Sequence, residues 1–565
     1  MSGRLRILVI GGYGTFGGRL VDLLERDSRL TLIVAGRSLA RAATYCARQR
    51  PDGAELVPAA FDRNGELATQ LADFKPDIVV DASGPFQAYG EQPYRLVEAC
   101  IRARTNYLDL ADGSEFVAGV KRFDAAARAA GVYVLAGVSS FPVLTAAVVR
   151  RLCVDMASVT SIRGGIAPSP FAGVGINVVR AIASYAGQPV RLKRAGAETT
   201  AYPFTESVRY TIAPPGRVPL KRTLFSLVDV PDLRVLAELW PQARTIWMGA
   251  GPVPEVLHRA LIAFAWLARW RVVRSLSPLA PLMSFVMGKV RWGEHRGGMF
   301  VEVDGVRPDG TPSTRSWHLL AEGDDGPLIP SMALQAVIER ALDGRPPPPG
   351  ARSAARDLEL DDYAALFAGR TIFDGVRDEN AARGASVYAR VLGTAWSGLP
   401  AEIRQVHDVR STALFEGVCT VERGRTLLAR CVASLFGFPR AGMDVDVAVR
   451  FDVEDGVERW TRTFAGRTFA SHQFDGRGES ERLLCERFGP LRFALALVPD
   501  GTRLDLVLRG WSAFGIPLPL WLGPWSTSFE TVEDGRFRFH VEIGHRLAGL
   551  IVRYRGWLRP VTERR

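Results

Sequence analysis

Residues 5–25 read LRILVIGGYGTFGGRLVDLLE. The run Leu5–Ile10 is short, continuously apolar and rich in branched side chains, as a strand buried on both sheet faces requires. It leads directly into Gly12-Tyr13-Gly14-Thr15-Phe16-Gly17, and then into an amphipathic stretch through Glu25. Glycines at 12, 14 and 17 have the G-x-G-x-x-G spacing, here with a strand before them and a helix after. In that setting Gly12 permits the tight turn, Gly14 lets backbone approach a pyrophosphate, and Gly17 allows close helix–strand packing. Tyr13, Thr15 and Phe16 fill the intervening positions, and the helix N–H groups of Thr15 and Phe16 face the phosphates. The chain therefore opens on a dinucleotide site.

The second strand, Leu30–Ala35, ends in Gly36-Arg37-Ser38. An NAD site would place Asp or Glu here against the ribose 2′-hydroxyl. Arg37 and Ser38 offer a cation and a hydroxyl to a 2′-phosphate, so the expected cofactor is NADP. The alternative is a solvated Arg at a helix start. Strand and helix then alternate: strands over 54–61, 77–81, 106–110 and 132–138, helices over 66–72, 91–104 and about 115–130. Such alternation predicts a parallel sheet with ligand at the carboxyl ends of its strands. Asp62, just past the third strand, is grouped with the cofactor-binding residues. Ser83, Gly84 and Pro85 follow the fourth strand and border the nicotinamide, unless Gly84-Pro85 is only a turn. The segment 137–142 is a second strand end of this kind. Tyr89, Asp109 and Asp112 are the candidate proton donors, chosen for their place after sheet strands.

The blocks VIGGYGTFG, AGRS, VVDASGPFQAYGEQPYRLVEAC, TNYLDLADGSEF and AGVYVLAGVSSFPVL together resemble the NADP-binding domain of the saccharopine dehydrogenase-like oxidoreductases, over about the first 150 residues. The resemblance continues more loosely through GEHRGGMFVEVDG and AEGDDGPLIPSMAL to about residue 370. It implies a Rossmann domain over 1–150, then an α+β domain over 151–372 that covers the nicotinamide. It also implies an NADPH-dependent oxidoreductase, which transfers hydride to a C=N or polarised C=C bond of a hydrophobic or lipid-like substrate. The alternative is a non-catalytic, NADPH-bound scaffold that binds lipid or a partner. After residue 374, many short alternating strands with Asp-Gly turns predict a mainly antiparallel β domain over 375–565, curved around a cavity. Its blocks VLGTAWSGLP, ERWTRTFAGRTFAS, GIPLPLWLGP and GLIVRYRGWL resemble a bacterial domain family of unknown function.

Absent residues exclude other chemistry. The chain of 565 residues holds five Lys, at 75, 121, 193, 221 and 289, and none lies four residues after a Tyr, so a Tyr-x-x-x-Lys acid–base pair cannot form. Gly-Lys-Ser/Thr, H-E-x-x-H and G-x-S-x-G are missing, against P-loop, zincin and serine-hydrolase sites. The six Cys form no C-x-x-C, and no metal site is expected. The net charge of +11 comes from Arg scattered along the chain, which argues against nucleic acid and leaves a phosphorylated cofactor or an anionic membrane surface as partners. No signal peptide precedes the first apolar run, so a cytoplasmic location is expected, with contact to the inner face of the membrane left open.

That contact is read from residues 255–290. Two short apolar runs, the second broken by Pro278 and Pro281, are flanked by Arg259, Arg269, Arg271, Arg274, Lys289 and Arg291 and by Trp266, Trp270 and Trp292. The pattern suits helices lying in a lipid interface; a buried hairpin or a homodimer contact is the alternative. His295 or His318 could also donate a proton near the cofactor, or serve as packing or surface residues. Farther on, His407-Asp408 is a candidate acid–base pair and Arg462 with Glu458 a candidate anion site, against a helix end and a cross-strand ion pair.

Overall fold

A computed structural model describes residues 4–48, 52–173, 175–382 and 384–561. The chain forms two compact units, one of residues 1–209 and 223–373, the other of 210–222 and 374–565.

In the first unit, β1 (Leu5–Ile10) is joined through α1 (Thr15–Leu24) to β2 (Leu30–Gly36), and α2 (Leu39–Cys46) leads to β3 (Glu55–Ala60). The strands β4 (Ile78–Asp81), β5 (Asn106–Asp109) and β6 (Tyr133–Ala136) follow. The sheet order is β6-β5-β4-β1-β2-β3, all parallel, so the strand order reverses beside β1. A crevice at the carboxyl ends of strands opens at such a point. Every residue of β2 is buried, which is why its sequence is continuously apolar rather than alternating. The helix α1 turns Leu20, Val21 and Leu24 inward.

Three details depart from the sequence reading. A seventh strand, Gly350–Ser353, pairs in parallel with β6, so the segment after the proline run belongs to the sheet. The helix expected over 91–104 is confined to Arg95–Arg102, because Pro93 precedes it. The expected helix near 115–130 resets between Ser114–Gly119 and Asp124–Ala130, at a glycine whose bare α-carbon packs against the Tyr94 hydroxyl.

A second sheet is centred on Ser158–Ala167, which runs parallel to Thr245–Ala250 and antiparallel to Arg296–Val306. The region 255–290 forms the helices Glu255–Arg269 and Ala280–Lys289; the first is amphipathic, whereas the second is apolar with no distinct polar face. Pro281 stands in the first turn of the second helix instead of breaking it, where a missing N–H costs nothing.

The second unit is an antiparallel barrel. Ten strands between Thr412 and Pro560 pair in a ring, closed where Leu491–Asp500 meets Arg503–Ala513; Ile516–Leu518 adds to the latter. Closure removes the unpaired edges that a curved sheet would otherwise expose. Phe451, Leu484, Val552 and Tyr388, with Ile403 from the helix Ala401–His407, fill its core.

Candidate functional site

The glycine loop is built from backbone packed on backbone. Gly11, not Gly12, carries the turn's left-handed conformation, with φ +80°, and a Cβ there would lie 2.8 Å from the Ala82 carbonyl. The adjacent residue takes the strain because β1 must clear β4 before the chain reverses. Gly12 supplies close packing: a Cβ would stand 2.8 Å from the Val9 carbonyl and 3.0 Å from Val34. A side chain at Gly17 would strike the Gly11 carbonyl, and one at Gly14 would sit 2.9 Å from the same oxygen. Gly14 caps α1 without a side-chain acceptor, so the first N–H groups of the helix face outward with no side chain claiming them. That is the donor set a diphosphate takes.

Tyr13 ties this loop to the end of β2. Its ring covers Gly36, where a Cβ would lie 2.5 Å from the phenol oxygen. Its hydroxyl accepts the Ser38 backbone N–H at 3.1 Å, and the Arg41 guanidinium sits 5.1 Å from its ring centroid. Ser38 Oγ caps α2 by accepting the Arg41 N–H at 3.4 Å, which leaves its own proton to donate. Arg37 is exposed beside it. Asp62 is exposed past β3, where its carboxylate accepts the Asn64 N–H at 3.0 Å.

At the end of β4 the structure gathers Ser83 and Tyr89 with two residues that the sequence reading missed, Asp81 and Arg63. Buried Asp81 accepts from Ser83 Oγ at 2.6 Å and from Tyr89 Oη at 3.1 Å. The Arg63 guanidinium lies 3.3 Å from Asp81 and 3.1 Å from the Tyr89 ring centroid. Burial, followed by the charge of Asp81, pushes the Tyr89 phenol well up. A carboxylate ending an apolar strand was the available signal for Asp81. Arg63 gives none, because it approaches from another strand end. The Gly84 carbonyl, next to Pro85, accepts Asn177 Nδ2 at 2.9 Å. Arg19, on α1, donates to the Ala172 carbonyl at 2.6 Å, and Gly175 packs against Thr15. Residues 172, 175 and 177 thus reach the glycine loop and residues 83–84.

The remaining candidate acids adjoin this cluster, Asp109 as the register partner of Asp81 and Asp112 through Gln87. Asp109 is fully buried, and its Oδ1 accepts the Gly137 and Ala111 N–H groups at 2.7 and 2.9 Å. Burial pushes its carboxyl up to about 7. Asp112 is half-buried and accepts from Gln87 Nε2 at 3.1 Å. Its carboxyl is raised, chiefly by burial and also by the charge of Asp229. Asp229, itself raised by burial, accepts from Ser114 Oγ at 2.6 Å. Tyr185 feels both carboxylates. Asp229 and Tyr185 come from the second sheet and its helix, so nothing local in the sequence joins them to Asp112.

The histidines take other places. His295 stands 3.2 Å from Asp324 and packs on Phe171, while His318 is buried with its Nε2 2.9 Å from Ser316 Oγ. His407 pairs with Glu530 at 2.6 Å rather than with Asp408, because its ring points into the barrel. Arg462 pairs with Glu486 at 3.0 Å rather than with Glu458, which accepts Trp460 Nε1 at 3.1 Å.

Residues 7–135 match the family model of the saccharopine dehydrogenase NADP binding domain, and residues 399–558 match a domain of unknown function, DUF4166. The chain thus joins an NAD(P)-binding domain of saccharopine dehydrogenase type to an uncharacterised barrel. Among solved structures it is similar to apo saccharopine dehydrogenase (L-Glu forming) from Saccharomyces cerevisiae, with 15% identity, TM-score 0.47, and coverage of 66% of this chain and 99% of that one. It is also similar to a meso-dapdh mutant from Clostridium tetani E88, with 12% identity, TM-score 0.32, and coverage of 64% and 96%. The WlbA dehydrogenase from Thermus thermophilus, in complex with NAD and alpha-ketoglutarate, gives 13% identity, TM-score 0.28, and coverage of 63% and 94%. No curated protein matches the chain significantly.

Proposed function

We propose that this chain is an NADPH-dependent oxidoreductase that reduces a C=N or polarised C=C bond of a hydrophobic or lipid-like substrate. The observation that carries the reading is the glycine loop, packed backbone against backbone at the sheet's reversal point, within residues that match an NADP-binding family model. Gly12, Gly14 and Gly17 would let the diphosphate reach the Thr15 and Phe16 N–H groups. Arg37 and the free proton of Ser38 would hold a 2′-phosphate by charge-assisted hydrogen bonds. Tyr13 keeps those two residues in register with the loop. Ser83, Gly84 and Pro85 would border the nicotinamide, with Asp62 on the adenosine side. When bound, the cofactor supplies the hydride.

The protein's own part is to position, to exclude water and to supply a proton. Asp81 holds Ser83 and Tyr89 in place and so shapes the loop that follows β4. Complete burial makes Asp109 a positioning residue, which ties the end of β5 to the chain after β6. Asp112 is the candidate donor: half-buried beside a second carboxylate, it keeps its proton to higher pH than an ordinary carboxyl does, as a general acid requires. Tyr89 would be its alternative.

The exposed helix pair suits an anionic lipid surface on the cytoplasmic side. No helix among the described residues is long and apolar enough to cross a membrane, but Trp270, Phe285 and Trp292 are 65%, 64% and 67% exposed among the flanking arginines.

Stopped-flow oxidation of bound NADPH across a panel of imines and enoyl lipids tests the activity. Turnover on at least one, lowered at least tenfold in Asp112→Asn, is expected. Tight NADPH binding with no turnover on any of them would identify a scaffold instead.

A further inference from the structure

The barrel of the second unit encloses a cavity of about 440 Å³, within the range of roughly 300–1,000 Å³ that small-molecule sites occupy. Its wall is mostly apolar, with Val449, Phe464, Phe493, Leu508 and Phe539 among the lining residues. Leu428 and Leu522 also line it, yet are 47% and 43% exposed, which marks the way in. The barrel is weakly joined near Leu522. Strand Arg503–Ala513 pairs with Trp525–Glu533 only at Arg503, Leu504 and Asp505. Beyond that point Leu508 and Trp511 from one strand, and Ser526 and Ser528 from the other, face the cavity instead of closing a ladder.

The polar groups facing this space fall into two sets. One is already neutralised: Arg462 donates to Glu486 at 3.0 Å and to Ser471 Oγ at 2.8 Å, and Glu530 meets His407 at 2.6 Å. The other set is unsatisfied. Tyr388 and Gln473 line the cavity with 0% and 2% exposure, and neither Tyr388 Oη nor Gln473 Oε1 has a hydrogen-bond partner. Buried polar atoms left without a hydrogen bond destabilise the fold, a cost that a ligand's polar group would recover.

The two sets together define the ligand's chemistry. Arg462 is the one Lys or Arg among the described lining residues, and Glu486 already occupies it. Burial draws the His540 imidazole below its usual range, and its Nε2 stands 3.7 Å from Glu542. His545 accepts the Leu547 N–H at Nδ1 and approaches the Leu522 carbonyl through Nε2 at 3.4 Å, the pattern of a neutral ring. An anionic headgroup would enter beside Glu486 and Glu530 with no free countercharge, a costly burial. We propose that the barrel is a binding site for an uncharged amphiphile, a long apolar body ending in a hydroxyl that accepts from Tyr388 Oη and donates to Gln473 Oε1.

Nile red titrated into the full-length protein probes the cavity, with displacement by dodecan-1-ol and by dodecanoate compared at pH 8. One saturable site is expected, with dodecanol displacing at a concentration at least tenfold below that of dodecanoate. Tyr388→Phe combined with Gln473→Leu is expected to weaken dodecanol at least fivefold. Leu508→Trp, which fills the slot, is expected to weaken Nile red at least tenfold at an unchanged melting temperature; Leu506→Trp replaces it if that temperature falls. The proposal is overturned if Nile red does not bind, if dodecanoate competes as well as dodecanol, or if a folded, cavity-filled variant binds normally. NADPH titration of the same samples reads the first unit, so a failure here is distinguishable from a failure of the oxidoreductase reading.

Discussion

Arg37 stands exposed at the end of β2, and among the described residues no carboxylate engages it. Its one evident task is therefore electrostatic, and it can be inverted. Arg37→Asp should weaken NADPH at least tenfold by calorimetry, about 1.4 kcal/mol, while NADH binding holds or improves. An unchanged preference would remove the 2′-phosphate assignment. Asp109 makes a second prediction, on stability. Its folded pKa of about 7 lies above the ordinary carboxyl value of 3.8, so the folded state keeps a proton that the unfolded chain has lost. Stability therefore falls as pH rises from about 4 to about 7 and levels off above. Asp109→Asn keeps an acceptor for Gly137 and Ala111 but cannot ionise. It should raise the melting temperature at pH 7.5, by an energy on the order of a few kcal/mol at about 1.4 per pKa unit, and the gain should shrink toward zero near pH 4. Arg37 could be proposed from sequence because its neighbours in sequence, Gly36 and Ser38, are its neighbours at the strand end. Asp81, Arg63 and Tyr89 were not read together, since Arg63 follows β3 whereas Asp81 and Tyr89 belong to β4 and the loop after it.

At the scale of elements, hydrophobic period was a good guide where one segment packs on its own account. The helix α1 and the helix Glu255–Arg269 each declare a face. The barrel's ring itself declares nothing: its first strand, Thr412–Arg423, pairs with its last, Gly549–Pro560, from the far end of the domain's sequence. The helix pair supports a test that depends on its exposed face. Trp270, Phe285 and Trp292 surround no core, so Trp270→Glu with Phe285→Glu should leave the melting temperature within about a degree, as most surface substitutions do. Co-sedimentation with vesicles containing anionic lipid should fall severalfold in that variant, and wild-type binding should weaken as salt rises. Equal sedimentation of both proteins would return this surface to a dimer contact or plain solvent exposure.

For the molecule as a whole, the boundary read at 372–375 accounts for one crossing of the chain and misses another. Residues 210–222, TIAPPGRVPLKR after Tyr210, fall within the span 151–372 assigned to the middle domain, yet they pack with the second unit. The reason lies in that unit's needs. Arg377 is 4% exposed, and its Nε donates to the Ala213 carbonyl at 2.7 Å while Nη1 donates to Val391 at 3.1 Å. Burial draws its pKa down to about 9, so the cation depends on those carbonyls. Thr211 Oγ1 donates to Glu481 at 2.7 Å, and Val218 covers a small cluster of Leu483, Cys485, Ala494 and Ala496. A fragment starting at Asp374 keeps every barrel strand but loses one carbonyl on a buried guanidinium and the cover of an apolar patch. A hydrogen bond to a buried charged group contributes about 1.5–3 kcal/mol, a sizeable share of the roughly 5–15 kcal/mol that holds a domain folded. The fragment 374–565 should therefore melt well below one in which 210–222 is restored through a flexible linker. Arg377→Met in the short fragment should recover part of the difference, because it removes the unpaired charge. Equal melting temperatures for the two fragments would mean that the proline segment merely rests on the barrel, and that the second unit begins where the sequence alone would have begun it.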